Sequence, residues 1–207
     1  MPAGEPFDRL ISARLREDIG EKVAIGREII VLEETTSTSD AILQHTTSLT
    51  KAGLAIFAEH QSAGRGQHGK RWQSAPGKGL WFSVLLRPRI EIDKSAQLTS
   101  WAAEAIAATI EQELSLRPTI KSPNDVYVDG RKVGGVLVEM RAQKQSPHIA
   151  IAGIGINVNH TAEDFPAELR AIAGSLAMAI GRPLDRHLLA VALLRNLDRA
   201  YHAMFGL

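Results

Sequence analysis

Residues 59–72 read Glu59-His60-Gln61-Ser62-Ala63-Gly64-Arg65-Gly66-Gln67-His68-Gly69-Lys70-Arg71-Trp72, a run with three glycines, three Lys or Arg cations and a closing tryptophan. It joins two apolar segments, 54–58 and 80–86, that both read as strands. Glycine lets a backbone come close to an anion and adopt positive φ, and successive N–H groups in such a turn can cradle one. Two nucleotide patterns fit on paper. Gly64-x-Gly66-x-x-Gly69 matches a dinucleotide fingerprint, and Gly64-x-x-x-x-Gly69-Lys70 matches most of a phosphate loop. Both need the last glycine to open a helix. Here Trp72-Gln73-Ser74-Ala75-Pro76-Gly77-Lys78-Gly79 follows, which is turn material, and Arg71 stands where Ser or Thr would hold Mg²⁺. The stretch is a strand-loop-strand element, and its composition leaves an anion-binding loop or a plain surface hairpin loop.

The elements around it set the fold class. Leu10, Ile11, Leu15 and Ile19 give a helical spacing over 8–19, ended by Gly20. A β-branched strand is predicted over 25–32. Residues 35–39 are all Thr or Ser and precede Ala41, Ile42 and Leu43, so a helix starts there, with Ser37 and Asp40 spaced as a capping box. The spacing of Leu98, Trp101, Ala102, Ala105, Ile106, Thr109 and Ile110 predicts a helix over 94–114. A short extended piece follows at 119–121, then a hairpin of 126–128 and 133–140 around Asp129-Gly130. A strand over 148–159 and helices over 165–178 and 183–205 complete the chain. Meandering strands interrupted by helices predict an α+β fold: a mixed, largely antiparallel sheet with helices packed on it. Strict βαβ alternation is missing, which counts against a Rossmann fold. We expect one domain over 1–207, with an N-terminal helix within 1–20 and a C-terminal helix over 184–206.

Composition removes several function classes. A net charge of +1 gives no bulk attraction to nucleic acid or membranes, so any cationic function is local. Cysteine is absent, which excludes disulfides and Cys-based zinc sites. The seven histidines show no metal-ligand spacing, so no dedicated protein metal site is expected, and no nucleophile triad is evident. No apolar run suffices to span a bilayer, and the acidic N-terminus lacks a signal pattern, so a cytoplasmic location is expected.

Four polar clusters interrupt the apolar strands: the hydroxyls 36–39, the loop 61–72, Lys121-Ser122-Pro123-Asn124-Asp125, and Gly153-Ile154-Gly155-Ile156-Asn157. Each sits near a strand end, where distant residues can converge. Singly, each has a structural reading. Lys121 is by default an exposed lysine, Asn124 and Asp125 are turn formers, and Asn157 is either structural glue or a ligand contact.

Together they resemble a family. Glu59-x-Gln61-x-Ala63-Gly64-Arg65-Gly66-x-x-Gly69-x-x-Trp72, then Lys121-x-Pro123-Asn124-Asp125, Arg131-Lys132-x-x-Gly135-x-Leu137-x-Glu139, and Gly153-x-Gly155-x-Asn157-x-Asn159 resemble the catalytic domain of biotin–protein ligases. The Thr36-Ser37-Thr38-Ser39 cluster is similar to that family's hydroxyl motif. The resemblance implies a two-step enzyme. Biotin and Mg·ATP give biotinyl-5′-adenylate, and a lysine of a biotin carboxyl carrier domain of a carboxylase then takes the biotinyl group. By matching position, Ser37, Thr38, Ser39 and Gln61 would bind the biotin head group with the backbone of Gly64, Arg65, Gly66 and Gln67, and Gly135 would line the same site. Arg65 would lie over biotin and phosphate, Trp72 would shield the adenylate, and Lys121 would contact the biotin carboxylate and α-phosphate. Arg65, Gly66, Gln67, Asn124 and Asn157 would help position the nucleotide and its metal. Lys121 and Arg65 are thus the expected catalytic cations.

Departures from the family pattern carry their own expectations. Ser39 replaces the usual asparagine after the Ser-Thr pair. Gln67 and His68 stand where many members have arginines, so a looser hold on the adenylate is expected. The motifs begin too close to the N-terminus for a helix-turn-helix domain, so DNA binding is not expected, and the chain stops where many relatives continue into a small β-barrel. Homodimerisation is left open. The rival readings are a lipoate- or octanoyl-transferring enzyme of the same fold and a binding-only biotin homologue.

Overall fold

The computed structural model describes residues 9–47, 49–143 and 148–206. Its strands are β1 (Glu28–Thr35), β2 (Leu54–Gln61), β3 (Gly79–Leu86), β4 (Thr119–Lys121), β5 (Asp125–Val128), β6 (Arg131–Arg141) and β7 (Ile149–Asn157). They form one sheet in the order β1-β2-β3-β7-β6-β5-β4. Only β1 and β2 run parallel among these pairs; the rest are antiparallel. The helices are α1 (Ser12–Ile19), α2 (Thr38–His45), α3 (Ala96–Leu114), α4 (Leu176–Ile180) and α5 (Arg186–Phe205). The mixed α+β architecture is the one the sequence predicts. No helix among the described residues is long and apolar enough to cross a membrane.

Two helical layers explain why β3 is an unbroken buried run and not an alternating one. On one face Phe57, Phe82, Val84, Val136, Ile154 and Ile156 pack with α3 and α5 into the main core. There Trp101 Nε1 donates to the Leu197 carbonyl at 3.2 Å, and Asn196 Nδ2 donates to Thr109 Oγ1 at 2.9 Å. On the other face Ile56, Leu85 and Ile151 meet Ala41 and Ile42 of α2 in a smaller cluster. Because side chains alternate along a strand, the register pairs Ser83 with Gly153, Leu137 with Gly153, and both Trp81 and Gly135 with Gly155 on this second face. α2 is short and leaves that face open beyond its N-terminus. The site lies there.

Several boundaries differ from the sequence reading. The first helix starts at Ser12, and residues 1–8 of the expected 1–20 segment lie outside the described residues. The strand expected over 25–32 is β1, which begins at Glu28. Gly26 sits at φ 86° with its N–H on the Gly53 carbonyl at 2.8 Å, and Asp198 takes the N–H groups of Ala24 and Ile25 at 2.8 Å each. Ile25 is thereby a core side chain delivered by a turn. The helix expected over 165–178 is absent: single 3₁₀ turns at Ala162–Asp164 and Ala167–Leu169 precede the short α4. Backbone bonds from Lys132 to Ile172 and Gly174, at 2.8 and 2.9 Å, hold this segment extended, and Ser175 then caps α4 through the Met178 N–H. β7 ends at Asn157 because the next two N–H groups turn to the Lys78 carbonyl. Ser37 does cap α2, but through the Ser39 N–H at 3.3 Å, and Asp40 is drawn to Arg65 instead of completing a capping box.

The loop after β2 is held by backbone bonds of its own. Gly66 N–H donates to the Lys70 carbonyl at 2.7 Å and Trp72 N–H to the Gly64 carbonyl at 2.9 Å, with Arg65 and Arg71 bridged. A 3₁₀ turn at Gln67–Gly69 closes the tip, where His68 adopts φ 56°. The segment is a small hairpin folded over the open face of the sheet.

Candidate functional site

One concave pocket of about 480 Å³, open to solvent, lies between this hairpin, the N-terminus of α2 and the β6–β7 surface. Of the residues expected from the sequence, Ser37, Thr38, Ser39, Gln61, Arg65, Gly66, Gln67, Trp72, Asn124 and Gly135 line it. They come from stretches far apart in the chain, and the sheet register brings them together.

The end beside α2 is polar and uncharged. Gln61 Oε1 accepts the Thr38 N–H at 2.9 Å, with Thr38 Oγ1 3.2 Å away, and Gln61 Nε2 donates to Ser74 Oγ at 3.0 Å. These contacts fix the amide orientation: oxygen towards α2, nitrogen towards Ser74. Thr38 Oγ1 and Ser39 Oγ both reach Ser83 Oγ, at 2.8 and 3.1 Å. Ser37, Thr38, Ser39 and Ser83 are all buried, so each hydroxyl left without a partner would carry a desolvation cost.

Glycines make the floor. A Cβ on Gly155 would lie 2.6–2.8 Å from the Trp72 indole, and one on Gly135 would lie 3.0 Å from the same ring. The two glycines are register partners on neighbouring strands, so they form a flat platform that admits an aromatic face. Trp72 packs edge-on to Trp81 with ring centroids 6.1 Å apart, and its Nε1 has no partner among the described residues. Trp81 in turn meets His160, which stacks on Phe165 with centroids 4.9 Å apart. Burial drives His160 down to about 4, with Lys78 pushing the same way and Asp164 opposing.

Two cations, Arg65 and Lys132, also line the pocket. Arg65 Nη1 donates to both Asp40 oxygens at 2.7 and 2.6 Å, and Nη2 donates to Glu139 at 2.9 Å. The Asp40 hydrogen bond raises the Arg65 pKa most; burial opposes it and Glu139 adds to it. Lys132 Nζ lies 2.6 Å from Asp125 Oδ1 and 5.4 Å above the Trp72 ring. Asn124 Nδ2 shares the same Asp125 oxygen at 2.7 Å. No cluster of three or more metal-ligating side chains occurs among the described residues.

Three expected site residues fall elsewhere. Lys121 is exposed at the end of edge strand β4 and does not line the pocket; the lysine that does is Lys132. The sequence reading quotes Lys132 within the family pattern but gives it no role. Asn157 is 5% exposed and spends its amide on the Gly174 and Lys132 carbonyls, at 2.9 and 3.5 Å. These contacts tether the backbone that carries Lys132. Gly64 sits behind the lining, where a Cβ would come within 2.9 Å of the Trp72 carbonyl oxygen. Ser83 was missed too. Its only sequence signal is one hydroxyl inside the apolar run 80–86.

Residues 31–157 match the model of the biotin/lipoate A/B protein ligase family. The bifunctional ligase/repressor BirA of Bacillus spizizenii is 39% identical over 162 residues, which are 78% of this chain and 50% of that protein. The chain thus spans about half the length of the first curated relatives it matches. A biotin protein ligase from Aquifex aeolicus in complex with biotin and ATP superposes with a TM-score of 0.74 at 32% identity, covering 86% of this chain and 71% of that one. One from Leishmania major in complex with biotinyl-5-AMP gives 0.67 at 25% identity, covering 84% and 75%. The family match spans the hydroxyl cluster, the hairpin, the Asp125–Lys132 pair and the glycine floor. On that extent of sequence and fold, the chain belongs to the biotin/lipoate A/B protein ligase family.

Proposed function

We propose that the protein is an ATP-dependent biotin–protein ligase that forms biotinyl-5′-adenylate and passes the biotinyl group to a lysine of a carboxylase's biotin carrier domain. One observation carries this reading: a single pocket joins a neutral hydroxyl-and-amide end to a wall bearing Lys132 and Arg65. A ureido head needs donors and acceptors without charge. A carboxylate meeting a phosphate is an encounter of two anions and needs cations.

In the first step a biotin carboxylate oxygen attacks the α-phosphorus of ATP, and the bond to the pyrophosphate oxygen breaks. Lys132, held over Trp72 and beside Asp125, would bind the carboxylate and α-phosphate oxygens. We assign it the role the sequence reading gave to Lys121. Lys121, at the strand edge in register with Asp125, would contact the outer phosphates. Arg65 would exchange Asp40 and Glu139 for ligand oxygens and bring the hairpin down as a cover. Asn124 would orient the nucleotide beside Lys132, and Gly66 and Gln67 would close the hairpin side. In the second step the carrier lysine amine attacks the acyl carbon and AMP leaves.

The residues fit a magnesium-bound nucleotide, since the pocket carboxylates are already spoken for by Arg65 and Lys132 and the ion would travel on the phosphates. Mg²⁺ would supply charge neutralisation of the leaving pyrophosphate.

The test is incubation with labelled biotin, Mg·ATP and a purified carrier domain. Pyrophosphate release and label on a carrier lysine are expected. Activation of lipoate in place of biotin would move the protein to the other branch of the family, and binding of biotin without pyrophosphate release would leave a binding-only homologue.

A further inference from the structure

We propose that Ser83, which lies beneath the pocket and does not line it, is a positioning residue that passes the hydrogen-bond polarity fixed at Thr38 by Gln61 on to Ser39, so that both hydroxyls present lone pairs to ligand N–H groups. The proposal rests on the biotin reading above and specifies how the neutral end tells one head group from another.

Ser83 is fully buried on β3, opposite Gly153 in the register. The absence of a side chain there matters. A Cβ on Gly153 would lie 3.2 Å from Ser39 Oγ and 3.6 Å from Ser83 Oγ, crowding the contact between them. Ser83 Oγ therefore reaches two hydroxyls on the first turn of α2 at once, Thr38 at 2.8 Å and Ser39 at 3.1 Å.

Each hydroxyl has one proton, and this limits the arrangement. Gln61 Oε1 can only accept, and the Thr38 N–H already fixes it in place. If Thr38 donates to Gln61, Ser83 donates to Thr38 and Ser39 donates to Ser83, which gives three bonds. In the reverse order Thr38 donates to Ser83 and Ser83 to Ser39. That makes two bonds and leaves the Ser39 proton without a partner among the described residues. The forward chain is preferred by one buried hydrogen bond.

In the forward chain the pocket-facing capacity of Thr38 and Ser39 is lone pairs alone. Ser37 Oγ accepts the Ser39 N–H, so its own proton is available to a ligand acceptor. Acceptors beside a donor match a cyclic urea, whose two N–H groups flank a carbonyl. A head group lacking those N–H donors would leave buried oxygens unpaired. That penalty discriminates more strongly than a mere loss of fit.

The experiment measures binding of biotin, and of biotin alkylated on a ureido nitrogen, to the wild-type chain and to Ser83→Ala by calorimetry. Steady-state pyrophosphate release is measured on both proteins alongside. We expect Ser83→Ala to weaken biotin about 10-fold, the range of one buried hydrogen bond. The KM for ATP and the rate at saturating biotin should stay within about 2-fold, because neither depends on the relay. Discrimination against the alkylated analogue should narrow, because Ser39 is then free to turn its proton outward. Equal biotin affinity in Ser83→Ala and wild type overturns the relay. So does parallel weakening of both ligands and ATP, which marks a packing defect. A wild-type chain that binds no biotin sinks the parent reading instead, whatever Ser83→Ala does.

Discussion

Arg65 Nη1 closes on the Asp40 carboxylate at 2.7 and 2.6 Å, joining the tip-side strand of the hairpin to the first turn of α2. The pair is more than a third exposed on both sides, so its direct worth to stability is small, about 0–1 kcal/mol. Its effect is on geometry, because with Glu139 it sets the resting position of the hairpin across the pocket mouth. Arg65→Ala should leave the melting temperature within about 2 °C while shortening the lifetime of bound adenylate by roughly 10-fold or more. Stopped-flow release of the adenylate checks this. An unchanged release rate removes Arg65 from the cover.

Lys132 and Lys121 give opposed expectations. Lys132 lines the pocket against Asp125 and Trp72, whereas Lys121 is exposed on an edge strand. Lys132→Ala should slow adenylate formation by about 100-fold or more, the usual loss when one preorganised charge donor is removed. Lys121→Ala should keep its affinity for biotin and raise the KM for ATP. Pyrophosphate release at varied biotin and ATP concentrations separates the two variants. The reverse ranking would restore the assignment made from sequence.

The glycine floor gives a steric prediction. In Gly155→Ala the new methyl would stand 2.6–2.8 Å from the Trp72 indole, so the ring has to move. Trp72 fluorescence should change in the absence of ligand, and biotin affinity should fall about 10-fold or more. A variant with native fluorescence and affinity would mean that the indole does not rest on that strand in solution.

His160 predicts a pH effect on stability. Burial holds its folded-state pKa at about 4, below the unfolded value of 6.5, so the unfolded chain binds the proton first. Its contribution is complete above about pH 6.5 and is lost as pH falls from there towards about 4, with a total on the order of 3 kcal/mol. His160→Phe keeps the aromatic stack with Phe165 and should flatten that part of the profile. Thermal denaturation of both proteins between about pH 7.5 and 4.5 measures the difference. Identical slopes would show that the ring is solvated.

Glu59 pairs with Arg186 at 2.7 Å and also accepts the Leu10 N–H at 3.2 Å, linking the end of β2 to α5 and to the N-terminal segment. Arg186 is only 3% exposed and also donates to the Gly79 carbonyl at 3.2 Å, so removing Glu59 takes the carboxylate partner away from a buried guanidinium. Glu59→Ala should cost on the order of 3 kcal/mol, read as a lowered midpoint in urea with an unchanged slope. A loss under about 1 kcal/mol would mean that water reaches the guanidinium.

The sequence carried the element types well where one physical signal dominated. The Asp129-Gly130 turn marked the hairpin of β5 and β6, and the apolar stripe of residues 94–114 marked α3, because period and turn chemistry are local properties. It misplaced the start of β1 because the partner of the Ala24 and Ile25 N–H groups, Asp198, lies far along the chain. It expected a helix over 165–178 because the apolar residues there suit one, and could not see that Lys132 would claim the backbone of Ile172 and Gly174.

For the site, the division is sharper. The sequence by itself determined the chemistry available: a run of hydroxyls, a glycine hairpin with two arginines, a lysine and a tryptophan, and a basic pair after a tight turn. These are covalent facts, read from residue type and spacing. Only the tertiary structure decided which of them meet. Side chains on a strand alternate between two faces, so register alone put Gly135, Gly153, Gly155 and Ser83 under one pocket. The same register chose Lys132 over Lys121 as the pocket cation, turned Asn157 into a backbone tether, and placed Ser83 where two hydroxyls of α2 could reach it.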